Sequence, residues 1–128
     1  MSDYNPRTRY EHYYVRQARL EGRDELQHRY PDDFYVKPFR IAGNVYYIGN
    51  KAVCSHLIDT GAGLIVIDTS YPELDHLLIN SIWEAGFNPK DIKIVLHTHL
   101  HYDHFGATNT LTKIYGAKAY VGKDEWES

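Results

Sequence analysis

Half of the chain's eight histidines fall in one short stretch, residues 97–104, which reads HTHLHYDH. Its polar skeleton from His99 to His104 is H-x-H-x-D-H. In extended backbone, side chains i and i+2 point the same way, so His99 and His101 can present their rings to one point in space. Asp103 and His104 are adjacent in sequence and diverge from that pair, which lets them serve a second point a few ångströms away. Imidazole nitrogen and carboxylate oxygen suit zinc at neutral pH, and iron or manganese would accept a similar set. A zinc ion with an open position brings the pKa of its water to about 7, and two metals about 3.5–4 Å apart can hold a hydroxide between them. The chemistry expected is therefore hydrolysis. Asp103 is placed to orient the attacking oxygen and accept its proton while serving, with His104, as a metal ligand. His97 precedes the pattern and is read as a strand-end residue without a metal role. His56 sits in a strand, and His12, His28 and His76 lie in polar surroundings, so all four are read as structural or exposed.

The elements around this cluster are legible in outline. Residues 92–96 (IKIVL) form a buried-type strand that ends just before the histidines, and residues 103–115 are expected to be helical. In that helix Ala107, Leu111 and Ile114 share one side, and Gly116 is the stop. The cluster thus sits between a strand C-terminus and a helix N-terminus, the crevice where α/β layers place ligands. Upstream, residues 44–48 (NVYYI), 52–58 (AVCSHLI) and 64–68 (LIVID) read as strands, and the turn chemistry of Gly49-Asn50 and residues 60–63 (TGAG) joins them into an antiparallel meander. Ser70-Tyr71-Pro72-Glu73 has the form of a capping box, and Gly86 ends the helix that follows. Leu74, Leu77, Leu78, Ile82 and Trp83 give that helix an apolar face. Residues 117–121 (AKAYV) form a further strand. Cys54 is read as a small core residue.

A chain of 128 residues is one small domain, able to bury roughly two thirds of its unfolded surface. The fold class is α/β (α+β), with a polar, Tyr-rich extension at residues 1–34, in which residues 11–28 could form an exposed helix, and the domain proper at residues 35–128. A formal charge of -3 without a basic stripe argues against a nucleic-acid partner. No apolar run is long enough for a bilayer span. The N-terminus has no apolar core of a secretory signal, so a cytoplasmic product is expected if this start is authentic. A single cysteine excludes an internal disulfide framework.

The segment IVLHTHLHYDHFG, residues 94–106, resembles the metal-binding signature of the metallo-β-lactamase superfamily, T-H-x-H-x-D-H-x-G-G after a strand. Thr98, His99, His101, Asp103, His104 and Gly106 match, and Ala107 replaces the last glycine. Residues 38–49 (PFRIAGNVYYIG), 56–70 (HLIDTGAGLIVIDTS), 86–96 (GFNPKDIKIVL) and 115–125 (YGAKAYVGKDE) resemble the N-terminal half of the third subclass in order and spacing. The resemblance implies the first half of a four-layer αββα sandwich. It implies that His99 and His101 bind one zinc and Asp103 and His104 a second, with further histidines coming from the later half. Asp68 and Thr98 would support the metal loop from behind. The reaction implied is the opening of a β-lactam or similar cyclic amide or ester, with lactone, thioester or phosphodiester hydrolysis also open.

No histidine follows His104, and two ligands per metal fall short of the three typical of catalytic zinc. The expectation is therefore a fragment of a longer hydrolase, inactive alone, whose partner is either the absent half or a second copy. The competing expectation is a non-catalytic zinc-binding half-domain that self-associates.

Overall fold

The computed structural model describes residues 30–127. The possible helix at residues 11–28 lies outside them. Six strands form one sheet in chain order: β1 (Phe39–Ala42), β2 (Val45–Tyr47), β3 (His56–Asp59), β4 (Leu64–Ile67), β5 (Ile92–His97) and β6 (Lys118–Val121). The first four pair antiparallel, so the expected meander forms. The last three run parallel. Parallel neighbours need a crossover. Helix α1 (Asp75–Glu84) supplies it between β4 and β5, and α2 (Thr108–Lys113) between β5 and β6. A short helix α3 (Lys123–Glu127) follows β6.

Both crossover helices cover the same face of the sheet. Leu57, Val66 and Val95 lie side by side on β3, β4 and β5 and are completely buried beneath Leu78 and Ile82 of α1 and Leu111 of α2. The next row of the pleat, Phe39, Tyr47, His56, Ile67, Leu96 and Tyr120, necessarily points the other way. No described element covers that face, and Phe39, Leu96 and Tyr120 are exposed there. The described residues are thus one helix layer on one sheet, as the metallo-β-lactamase resemblance implies. No helix among the described residues is long and apolar enough to cross a membrane.

Several local expectations are corrected. The strand expected from residue 52 begins at His56, because Asn50 Oδ1 accepts from the backbone N–H of Ala52 and of Val53, both at 2.9 Å, and curls that segment into a turn. Cys54 is consequently exposed, and Ser55 takes the inward position. The capping box does not form: Ser70 has φ 67° and its hydroxyl accepts from Asn50 Nδ2 at 2.7 Å. A 3-10 turn, Pro72–Leu74, opens the helix instead. Gly86 ends it as expected, with φ 95°. Trp83 and Ile114 lie off the apolar faces assigned to them and are exposed. Phe34, placed in the polar extension, is buried against Tyr71, Leu74 and Leu77.

Candidate metal centre

Strands β4 and β5 are parallel neighbours, so their C-terminal ends lie side by side and the residues just beyond them meet. Asp68 follows β4 and Thr98 follows β5. The backbone N–H of Asp68 donates to Leu96 O at 2.9 Å, extending the ladder by one bond. Asp68 and Ser70 then adopt left-handed backbone, φ 60° and 67°, a conformation that costs a non-glycine residue about 1–2 kcal/mol. The segment persists in it because the histidine turn is bonded across it. Thr69 N donates to His104 O at 2.8 Å, Gly106 N to Ser70 O at 2.7 Å and Ala107 N to Thr69 O at 3.2 Å. These long-range bonds keep residues 101–107 in turns, and the expected helix starts at Thr108 rather than Asp103.

Asp68, 4% exposed, is the hub. One carboxylate oxygen accepts from the Thr98 backbone N–H at 2.9 Å. The other accepts from the Thr98 hydroxyl at 2.6 Å and faces His104 Nδ1 at 3.0 Å. With its proton given to Asp68, the Thr98 hydroxyl is the acceptor for His99 Nδ1 at 2.8 Å. Both histidines therefore carry their ring proton on Nδ1, and both keep the Nε2 lone pair for a ligand. Asp103 Oδ1 lies 3.6 Å from His104 Nε2. His99, Asp103 and His104 each offer a donor atom within 4.8 Å of the others. Two neutral imidazole nitrogens and one carboxylate oxygen, converging and partly open to solvent, fit a zinc ion.

His101 stands differently from the expectation. Its ring centroid is 4.4 Å from that of His99, edge-on, but its donor atoms are outside the three-residue convergence. The segment beyond His97 bends out of extended backbone, and the two rings meet edge to face. The structure also brings His99 next to His104, with ring centroids 4.1 Å apart.

Other residues support the loop from further along the chain. Glu125 of α3 accepts from the Leu100 backbone N–H at 2.7 Å, tying the loop down from 25 residues away. Gly106 is needed because a Cβ there would lie 2.1 Å from Pro72 N and 2.1 Å from Tyr71 C. His97 ends β5 with its side chain 4% exposed, and burial pushes its imidazole below the ordinary value against the upward pull of Asp68.

The metallo-beta-lactamase superfamily profile matches residues 43–128. Among solved structures, the subclass B3 metallo-beta-lactamase BJP-1 of Bradyrhizobium japonicum is 34% identical with a TM-score of 0.69, over 71% of this chain and 34% of that one. The class B3 di-zinc metallo-beta-lactamase LRA-12 from an Alaskan soil metagenome is 44% identical with a TM-score of 0.64, over 66% of this chain and 32% of that one. A curated probable metallo-hydrolase of Methanocaldococcus jannaschii is 42% identical over 40 residues, 31% of this chain and 20% of its own length. The chain spans about a third of the length of the solved lactamases it matches.

Proposed function

The chain belongs to the metallo-beta-lactamase superfamily, and on that premise we propose that it supplies the metal-binding half of a zinc-dependent hydrolase that opens a β-lactam or a comparable cyclic amide or ester. The observation that carries this reading is the convergence of His99, Asp103 and His104 with both imidazole Nδ1 atoms anchored, directly or through Thr98, on the buried Asp68 carboxylate. Bound there, zinc supplies a Lewis acid for a carbonyl oxygen and a water acidic enough to deprotonate near neutral pH. His99 and His104 hold it through Nε2. Asp103, with its side chain one-third exposed, reaches solvent and is placed to orient a water and take its proton. His101, exposed beside His99, is the donor available to a second ion.

Three donors converge on one ion and His101 alone is offered to a second, so the second ion falls short of the three typical of catalytic zinc. Turnover on this reading needs donors beyond residues 30–127. The lactam assignment is supported by the two neighbours, both named as metallo-beta-lactamases. The archaeal relative is named only a probable metallo-hydrolase, which keeps lactones and thioesters in the same test. That test is zinc-dependent turnover of a chromogenic cephalosporin and of lactone and thioester panels by the longest product of the gene. Cephalosporin hydrolysis supports the proposal, lactone or thioester turnover alone moves the substrate, and no turnover of any refutes a hydrolase.

A second reading, a zinc-binding half-domain that self-associates without catalysis, is favoured by the uncovered sheet face carrying Phe39, Leu96 and Tyr120. Sedimentation of the zinc-loaded protein separates the two. A dimer with two tight zinc ions per pair and no turnover favours the second.

A further inference from the structure

His97 is given no ligand role by the sequence pattern, yet it is buried in a polar chain that runs through the base of the metal loop. The backbone N–H of Ala107 donates to Thr69 Oγ1 at 3.1 Å. Thr69 Oγ1 lies 2.9 Å from Thr108 Oγ1, which lies 3.0 Å from His97 Nε2. His97 Nδ1 faces the His104 carbonyl at 3.2 Å, with Asp68 Oδ1 further off at 3.8 Å. Thr69 is completely buried.

The proton positions follow from donor and acceptor chemistry. A carbonyl oxygen can only accept, so His97 Nδ1 carries the proton, and the opposite tautomer would set a lone pair against that oxygen. Nε2 then accepts from the Thr108 hydroxyl, which leaves Thr108 to accept from Thr69 and Thr69 to accept from Ala107. Within this chain Thr69, Thr108 and His97 each donate once and accept once, and Thr69 Oγ1 also lies 3.5 Å from the His104 carbonyl. The chain starts at Ala107 and ends at His104, so it closes the metal turn on itself through the ends of β4 and β5.

We infer that His97 is a positioning residue for the candidate metal centre: by donating Nδ1–H to the His104 carbonyl it fixes the backbone from which the His104 imidazole reaches Asp68 and the metal. This rests on the zinc-binding reading proposed above. Thr69 N–H also holds that carbonyl at 2.8 Å, so loss of His97 loosens the turn without freeing it entirely. The expected cost is a loss of metal affinity in the range set by partners that orient ligands, about 10- to 100-fold.

The test compares zinc affinity, by chelator competition, and the d–d spectrum of the cobalt-loaded chain for the wild type, His97→Ala, His97→Asn and His97→Gln. An asparagine amide nitrogen can occupy the Nδ1 position and a glutamine amide nitrogen the Nε2 position. His97→Ala is expected to raise the zinc Kd about 10-fold or more and to alter the cobalt spectrum, while His97→Asn stays within about threefold of wild type and His97→Gln resembles the alanine variant. If His97→Ala does not fold, the asparagine and glutamine pair carries the comparison. A wild-type chain that loads cobalt together with variants that load equally well, or asparagine and glutamine variants that weaken alike, overturns the inference and leaves the zinc site standing. A wild-type chain that takes up no cobalt overturns both.

Discussion

Replacing Gly106 with alanine should unfasten the metal loop. A Cβ at this position would sit 2.1 Å from Pro72 N, 2.1 Å from Tyr71 C and 2.5 Å from Ser70 O, all backbone atoms that no rotamer change can move. Ordinary contact begins near 3.4 Å, so the two segments must separate by about 1 Å. Three backbone–backbone hydrogen bonds cross this junction: Gly106 N to Ser70 O, Ala107 N to Thr69 O and Thr69 N to His104 O. At about 1 kcal/mol each, their loss costs about 3 kcal/mol, a large part of a small domain's stability. A domain of this size loses about 4–8 °C of melting temperature per kcal/mol, so a drop on the order of 15 °C is expected. Thermal unfolding by circular dichroism measures it, with Gly122→Ala as the control, since a Cβ there meets nothing within 4 Å. A Gly106→Ala protein that melts within about 2 °C of wild type would refute the close-approach reasoning.

Asp68→Asn keeps the shape of the hub but turns an amide NH2 toward a donor it cannot satisfy. Zinc affinity should fall about 10- to 100-fold, and unchanged affinity would remove Asp68 from its orienting role. Asn50→Ala deletes the acceptor for Ala52 N and Val53 N and the donor to Ser70, in a site that is 5% exposed. It should cost about 2–4 kcal/mol by urea unfolding, and Asn50→Asp, which retains the acceptor, should cost less. Burial, with Cys54 adding to it, pushes the Tyr47 phenol up to about 12. Because the folded value is raised, that contribution is complete below the unfolded value near 10 and is lost as pH rises toward 12. Wild type should therefore lose more stability than Tyr47→Phe across that interval, and equal losses would contradict the assignment.

What local pattern determines, the sequence displays. The apolar, β-branched runs of residues 64–67 and 92–96 and the glycines at 86 and 116, with φ 95° and 81°, place strands and helix ends correctly. Local pattern fails where a distant group competes for the same atom. Ser70 cannot cap its helix because Asn50, 20 residues earlier, holds its hydroxyl. Residues 103–107 do not join a helix because their backbone is bonded to residues 69 and 70. The donor types of the candidate metal centre are read from spacing alone, and Asp68 from the family resemblance. Their grouping is not, because it depends on how the chain turns after His97. Thr69, Thr108 and Glu125 act from the far side of that turn, and nothing in their own neighbourhoods marks them.

The central claim is that His99, Asp103 and His104 form a metal site in this chain. Its direct measurement is calorimetric titration of zinc into the wild-type protein and into His104→Ala and Asp103→Asn. The account predicts saturable zinc binding to the wild type that either substitution abolishes or weakens by at least about 10-fold. Zinc uptake that fails to saturate, or that persists unchanged in both variants, would contradict it.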